Sequence, residues 1–187
     1  MSLIKIKFIF LLLGVFTTSA FAQGGGKCTA TLAQLPTVAE LYGFKPGMTL
    51  AQVRARFPRL EVGRADQFGV TKTSVNPSFD PTLDKTGLAG VRTLAFDFLD
   101  GQLYTLSIGY DAEFKWQTLE DFLPGIDKAL NLPDAWVKKD WRGQELDCAD
   151  FQLTARLIAQ SPSLVIVDKT ARATLNKRIA DAADREP

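Results

Sequence analysis

The chain has no histidine among its 187 residues. That removes Ser-His and Cys-His nucleophile pairs, the commonest zinc ligand and the usual acid/base residue at neutral pH. It has no block of five or six like charges, so no basic footprint for nucleic acid and no polybasic membrane tether. A glycine-rich phosphate loop is missing, as is the glycine spacing of a dinucleotide fold. Beyond the N-terminus, no apolar run approaches the roughly 20 residues of a membrane span. Cysteine is scarce, with two in the whole chain, Cys28 and Cys148.

The first 22 residues differ from the rest. Lys5 and Lys7 precede an apolar run from Phe8 to Phe16, and Ala20-Phe21-Ala22 closes the segment. This is the order of a secretory signal peptide, with an expected mature start at Gln23. The rival reading is an uncleaved N-terminal anchor. Lys27 before Cys28 does not suit the small, apolar lipobox of a lipoprotein. Removing residues 1–22 leaves 165 residues with 20 basic and 21 acidic side chains, a net charge of −1. That length suits one ordinary domain. We expect a flexible lead over 23–34, tied by Cys28, and a single domain over 35–187 whose last turns fray. In an oxidising compartment, Cys28 and Cys148 are expected to be bridged; two separate thiols, with Cys148 buried, are the rival.

Local patterning then outlines the elements. Thr49 reads as a helix N-cap and Gln52 as its capping-box partner, before the apolar face of Leu50, Val53 and Phe57. Residues 63–90 are polar, with one short strand near Phe68 to Val75 and a long loop after it. Val91 to Tyr110 alternates strongly and reads as a β-hairpin. A two-residue Asp100-Gly101 turn would set the two apolar rows on opposite faces. A three-residue turn over Leu99-Asp100-Gly101 pairs Phe96 with Tyr104 and aligns them, so it is preferred. Thr118 opens a second helix with the stripe Leu119, Phe122, Leu123, Ile126 and Leu130, which Pro124-Gly125 is expected to kink or divide. Asp150 to Ala159 reads as a strand, Ser161-Pro162-Ser163 as a turn, Leu164 to Val167 as a strand and Lys169 to Asp184 as a helix. The fold class is α+β, with helices on one face of an antiparallel sheet of four or five strands.

Four sets of residues are candidates for chemistry or binding. Asp147 with Asp150 and Glu120 with Asp121 are the carboxylate pairs; the surface reading is preferred for both. Glu120 and Asp121 open a helix, where negative charge complements the dipole. A carboxylate enzyme or small-ligand binder predicts a pocket holding at least two of Asp140, Glu145, Asp147 and Asp150. Cys148 as a nucleophile is disfavoured, because Asp147 and Asp150 beside it raise a thiol's pKa. Trp116, Trp136 and Trp141 cluster near Phe114; core is preferred for the group, with Trp141 the most exposed between Asp140 and Arg142. Phe79 stands on a loop stiffened by Pro77 and Pro81, either as an exposed anchor or as a plug over the sheet.

Gly43-Phe44-Lys45-Pro46-Gly47-Met48-Thr49-Leu50-Ala51-Gln52-Val53 resembles a motif of short exported bacterial domains. The small lipoproteins of the outer-membrane β-barrel assembly machinery carry it, and β-lactamase inhibitor proteins are similar in fold. The match covers about 11 residues, through Thr49, Gln52 and Val53. The resemblance implies a helix-plus-antiparallel-sheet module that binds proteins without catalysing. Together these readings point to a non-catalytic exported module of the cell envelope or secreted fraction, with a protein partner, no cofactor, no metal, no nucleic acid and no stable membrane insertion. Phe79 and Trp141 are its candidate binding residues. A carboxylate-based ligand binder or hydrolase and a structural envelope protein are the competing classes.

Overall fold

The computed structural model describes residues 27–80, 83, 86–140 and 143–185. The expected signal segment and Trp141 lie outside them. In chain order the elements are α1 (Leu50–Arg56), β1 (Val70–Val75), β2 (Val91–Leu99), β3 (Gln102–Tyr110), α2 (Leu119–Leu130), β4 (Val137–Asp140), β5 (Gly143–Asp147), β6 (Phe151–Ile158), β7 (Ser161–Asp168) and α3 (Lys169–Ala183). The strands form one seven-stranded sheet in the order β1-β2-β3-β7-β6-β5-β4. Every pairing is antiparallel. Two meanders, β1-β2-β3 and β4-β5-β6-β7, thus join along β3 and β7. The fold is α+β as expected, but the sheet has seven strands rather than four or five. The two unforeseen strands, β4 and β5, are short, and each has a single large apolar residue, Val137 and Leu146, so no apolar alternation announces them.

The hairpin turn is the two-residue Asp100-Gly101, with φ of 51° and 79°. Both values are left-handed, as a turn matched to the strand twist requires. Leu99 pairs with Gln102 and Phe98 with Leu103; Asp97 then pairs with Thr105, leaving Tyr104 as the extra residue of a bulge. Beyond it, Phe96 faces Leu106 and Leu94 faces Ile108. The expected three-residue turn pairing Phe96 with Tyr104 is therefore corrected. The register does shift by one to align the apolar rows, but the extra residue sits inside β3. The β6–β7 turn is also displaced from expectation. It falls at Ala159 and Gln160, with φ of 51° and 65°, and Ser161-Pro162-Ser163 belongs to β7.

One face of the sheet carries the main core. Leu94, Phe96 and Phe98 of β2, Leu106 and Ile108 of β3, Leu153 of β6 and Ile166 of β7 are buried there. Phe122 and Ile126 of α2 close over them, with Val53 of α1. Helix α2 runs unbroken through Pro124. Gly125 has a packing reason: a Cβ there would overlap the Trp116 ring. Helix α1 forms as its sequence predicts, with Thr49 Oγ1 accepting from the Gln52 N–H and Gln52 Oε1 accepting from the Thr49 N–H. The motif before it is laid along β3 beyond the end of β7. Gly47 N–H donates to Leu103 O, and Leu103 N–H donates to Met48 O.

The expectation that all helices share one face is also corrected. Leu175 of α3 packs with Val70, Leu99 and Tyr104 in a second cluster on the opposite face. The bulge delivers Tyr104 to that cluster. Arg178 holds the far part of α3, donating to Phe68 O at 2.8 Å and pairing with Asp100 at 2.6 Å.

Candidate functional site

Cys28 and Cys148 form the disulfide, closing 120 residues of chain. Both cysteines are buried. Around the bridge the N-terminal segment is fastened by Ala149 N–H donating to Ala30 O and Leu32 N–H donating to Asp150 Oδ1 at 2.8 Å. Leu32–Gln34 makes a 3-10 turn.

The carboxylates that would have formed a pocket are dispersed. Glu145 pairs with Lys139 at 3.0 Å, and Asp147 with Lys169 at 2.9 Å. Asp150 is spent on the Leu32 amide. Asp140 ends β4 opposite Gly143. Asp121 accepts from Thr118 Oγ1 at the start of α2. Among the described residues no group of three or more Cys, Asp or Glu side chains is arranged to hold a metal ion.

One acidic residue the sequence reading passed over is buried in α2. Asp127 accepts a hydrogen bond from Trp136 Nε1 at 2.8 Å. Burial pushes its pKa up to about 6, against the lowering effect of that bond. The pair ties α2 to the chain entering β4, so it is a tertiary clamp. The place of Asp127 beside the apolar stripe, four residues after Leu123 and three before Leu130, was visible, but its partner Trp136 was not, because that contact depends on how the chain leaves α2. Trp116 is partly buried against Phe114 and Phe122.

Phe79 is the exposed aromatic. Its side chain is 84% accessible, the largest value among the exposed large hydrophobics of the described residues. Its backbone is nonetheless held. Asn76 Oδ1 accepts from Ser78 N–H, and Asn76 O accepts from the N–H groups of Phe79 and Asp80. Pro77 is buried beneath the turn. The asparagine-proline pair thus builds a fixed turn that turns its ring outward. Phe79 lines a groove of about 430 Å³ with Phe57, Leu60, Val75 and Leu83 at its apolar part and Arg59, Glu61 and Asp80 among its polar residues. Thr73 Oγ1 donates to Glu61 O, fastening the segment after α1 beside β1. Phe57 was legible as the last apolar residue of α1. That Leu60 and Leu83 would meet Phe79 was not, because they come from separate loops.

Trp141, the other candidate binding residue, is outside the described residues. Comparison of the chain with protein-family models, with curated proteins and with solved structures returns no match.

Proposed function

We propose that this chain is an exported, non-catalytic protein-binding module of the envelope or secreted fraction, anchored to its partner by Phe79. The observation that carries the reading is a solvent-exposed phenylalanine held on a hydrogen-bonded turn beside an apolar groove. A large ring whose backbone is already ordered loses little entropy on docking, the property of an interface anchor. The disulfide and the absence, among the described residues, of a helix long and apolar enough to cross a membrane are compatible with export. The signal-like N-terminus and the resemblance of the Gly47-Met48-Thr49 motif to exported binding modules support the same reading. The dispersal of Glu145, Asp147 and Asp150 onto separate partners weighs against the carboxylate-pocket alternative.

The test is affinity capture from envelope extract with the mature chain and with Phe79→Ala. The expected result is a discrete partner whose binding falls by more than about 1 kcal/mol in the variant, with thermal stability unchanged. Equal recovery by both proteins would remove Phe79 from the interface. A loss of about 3–5 kcal/mol of folding stability would mark it as a core residue instead.

A further inference from the structure

Phe57, just past α1, lines the Phe79 groove, whereas Arg56, the last residue of α1, lines a separate pocket of about 520 Å³. Residues 37–43, the end of α1, the 87–89 loop and Phe114-Lys115 meet there. The floor is firm, because Phe114 is buried against Tyr110 and Phe122. Gly87 and Ala89 bring almost no side chain, so the space between these segments stays open. Arg56 is held in position before anything binds. Its Nη1 donates to Tyr42 O at 2.9 Å, and its guanidinium carbon lies 5.0 Å from the centre of the Phe44 ring. Gly43 makes that position possible. Its φ is 72°, and a Cβ there would overlap Nη1 and Nη2 of Arg56. The other N–H groups of the guanidinium have no partner among the described residues, and Arg56 makes no ion pair there. A basic residue in the last turn also complements the helix dipole, but that role needs no fixed side chain, and Arg54 supplies the same charge without such anchoring.

The remaining charges of the pocket are spent on each other. Lys115 Nζ lies 2.7 Å from Glu40 Oε1 and 4.1 Å from the centre of the Trp116 ring. The Lys115 ammonium holds the Glu40 carboxyl below its ordinary pKa, so Glu40 stays an anion with its countercharge in place. The Tyr42 hydroxyl donates to Ala89 O at 3.0 Å. Asp111, whose charge reaches the Tyr42 hydroxyl, lies outside the lining and accepts from Glu113 N–H. Among the described residues Arg56 is therefore the one lining charge without a counterion. We propose that this pocket binds a small carboxylate with an apolar body. The carboxylate oxygens take the free N–H groups of the Arg56 fork, a planar match that an already fixed guanidinium makes at little entropic cost. The apolar body packs on Phe114 and Val38, as in ligand sites where a few placed polar groups orient a ligand held by apolar walls. Two sources present this chemistry, a free organic acid and the C-terminus of a peptide chain. The site stands apart from the Phe79 surface, and the test of either leaves the other untouched.

The experiment titrates the mature chain calorimetrically with phenylacetate, phenylacetamide and N-acetylphenylalanine. Phenylacetate is expected to bind with a dissociation constant below about 1 mM. Phenylacetamide, which keeps the ring and loses the charge, should bind at least about tenfold more weakly. Arg56→Gln should weaken phenylacetate binding at least about tenfold at unchanged melting temperature, and Arg56→Lys should restore part of the affinity, because it returns the charge without the fork. N-acetylphenylalanine copies the end of a peptide chain. Tighter binding than phenylacetate assigns the site to a chain terminus and weaker binding assigns it to a free acid, and either order upholds the carboxylate site. Equal binding of phenylacetate and phenylacetamide overturns the proposal, as does full affinity in Arg56→Gln. Absence of binding by both acids up to about 10 mM also overturns it. If Arg56→Gln does not fold, the Nε–H resonance of Arg56 in the wild-type chain decides: a saturable shift with phenylacetate supports the site, and an unmoved resonance overturns it.

Discussion

Strand β2 contains the contrast between the two faces of the sheet in its own residues. Leu94, Phe96 and Phe98 are completely buried on one side, while Ala95 and Asp97 between them are only partly covered. On the first side, α1, α2 and the loops around Phe44 and Phe114 seal an aromatic-rich core, with Phe44 edge-on to Phe96 at 5.0 Å. On the second, α3 covers only the end near the hairpin turn, through Leu175. Farther from that end Ser107 on β3, Thr154 on β6 and Val165 on β7 are only partly covered. Most of the burial lies on one face, and the other contributes a smaller cluster around Leu175.

The largest effect expected to sharpen this contrast comes from Phe96. Phe96→Ala should cost about 3–5 kcal/mol in denaturant unfolding, because it empties space at the centre of the sealed face. Its neighbour Asp97→Ala should stay within about 0.5 kcal/mol, since it removes only a loose surface ion pair with Lys72. Equal costs at the two positions would break the comparison. Next comes the disulfide, which pins the N-terminal segment to the sealed side. Cys28→Ser is expected to lower stability by roughly 2–5 kcal/mol, and thiol titration without reductant should find no free thiol in the wild-type chain. A smaller effect tests the thinly covered face. Leu175→Ala should cost about 2 kcal/mol, at the low end for a buried leucine, because its cluster has few members and solvent nearby.

The smallest effect concerns pH. The folded-state pKa of Asp127, about 6, lies above its unfolded value near 3.9, so the folded chain holds this proton more tightly. Asp127 therefore stabilises the fold most fully below pH 4, and that contribution is lost as pH rises through 6. Asp127→Asn keeps an acceptor for Trp136 Nε1 and needs no charge in the interior. It should raise stability at pH 7 by about 1 kcal/mol and flatten the pH 4–6 slope in calorimetry. A loss of stability at pH 7 would show that the carboxylate's charge is needed there.

The elements that the sequence revealed are those with strong one-sided patterning. The hairpin, the α2 stripe and the Thr49–Gln52 cap each state their structure within a few residues, and each formed where expected. The misread features depend on partners distant in the chain. Strands β4 and β5 pair Val137 with Glu145 and set Lys139 against Glu145, a pattern with no apolar alternation to read. Tyr104 looks like one more member of the core row. Only the second cluster, built from Val70, Leu99 and Leu175, makes it useful as the bulged residue facing the other way. Phe79 was legible as an odd apolar residue between polar ones, but the groove beside it gathers Phe57, Leu60 and Leu83 from loops that no local rule brings together.

The sequence by itself determined the α+β class, the strong hairpin, the capped helix and the single cysteine pair, because short-range periodicity and turn chemistry act over a few residues. The tertiary structure alone decided the seven-strand order, the crossing of α3 to the second face, the Asp127–Trp136 clamp and the groove beside Phe79. Those depend on which segments meet across long stretches of chain, and the free energy of such meetings comes from buried area and hydrogen bonds that exist only once the sheet has closed.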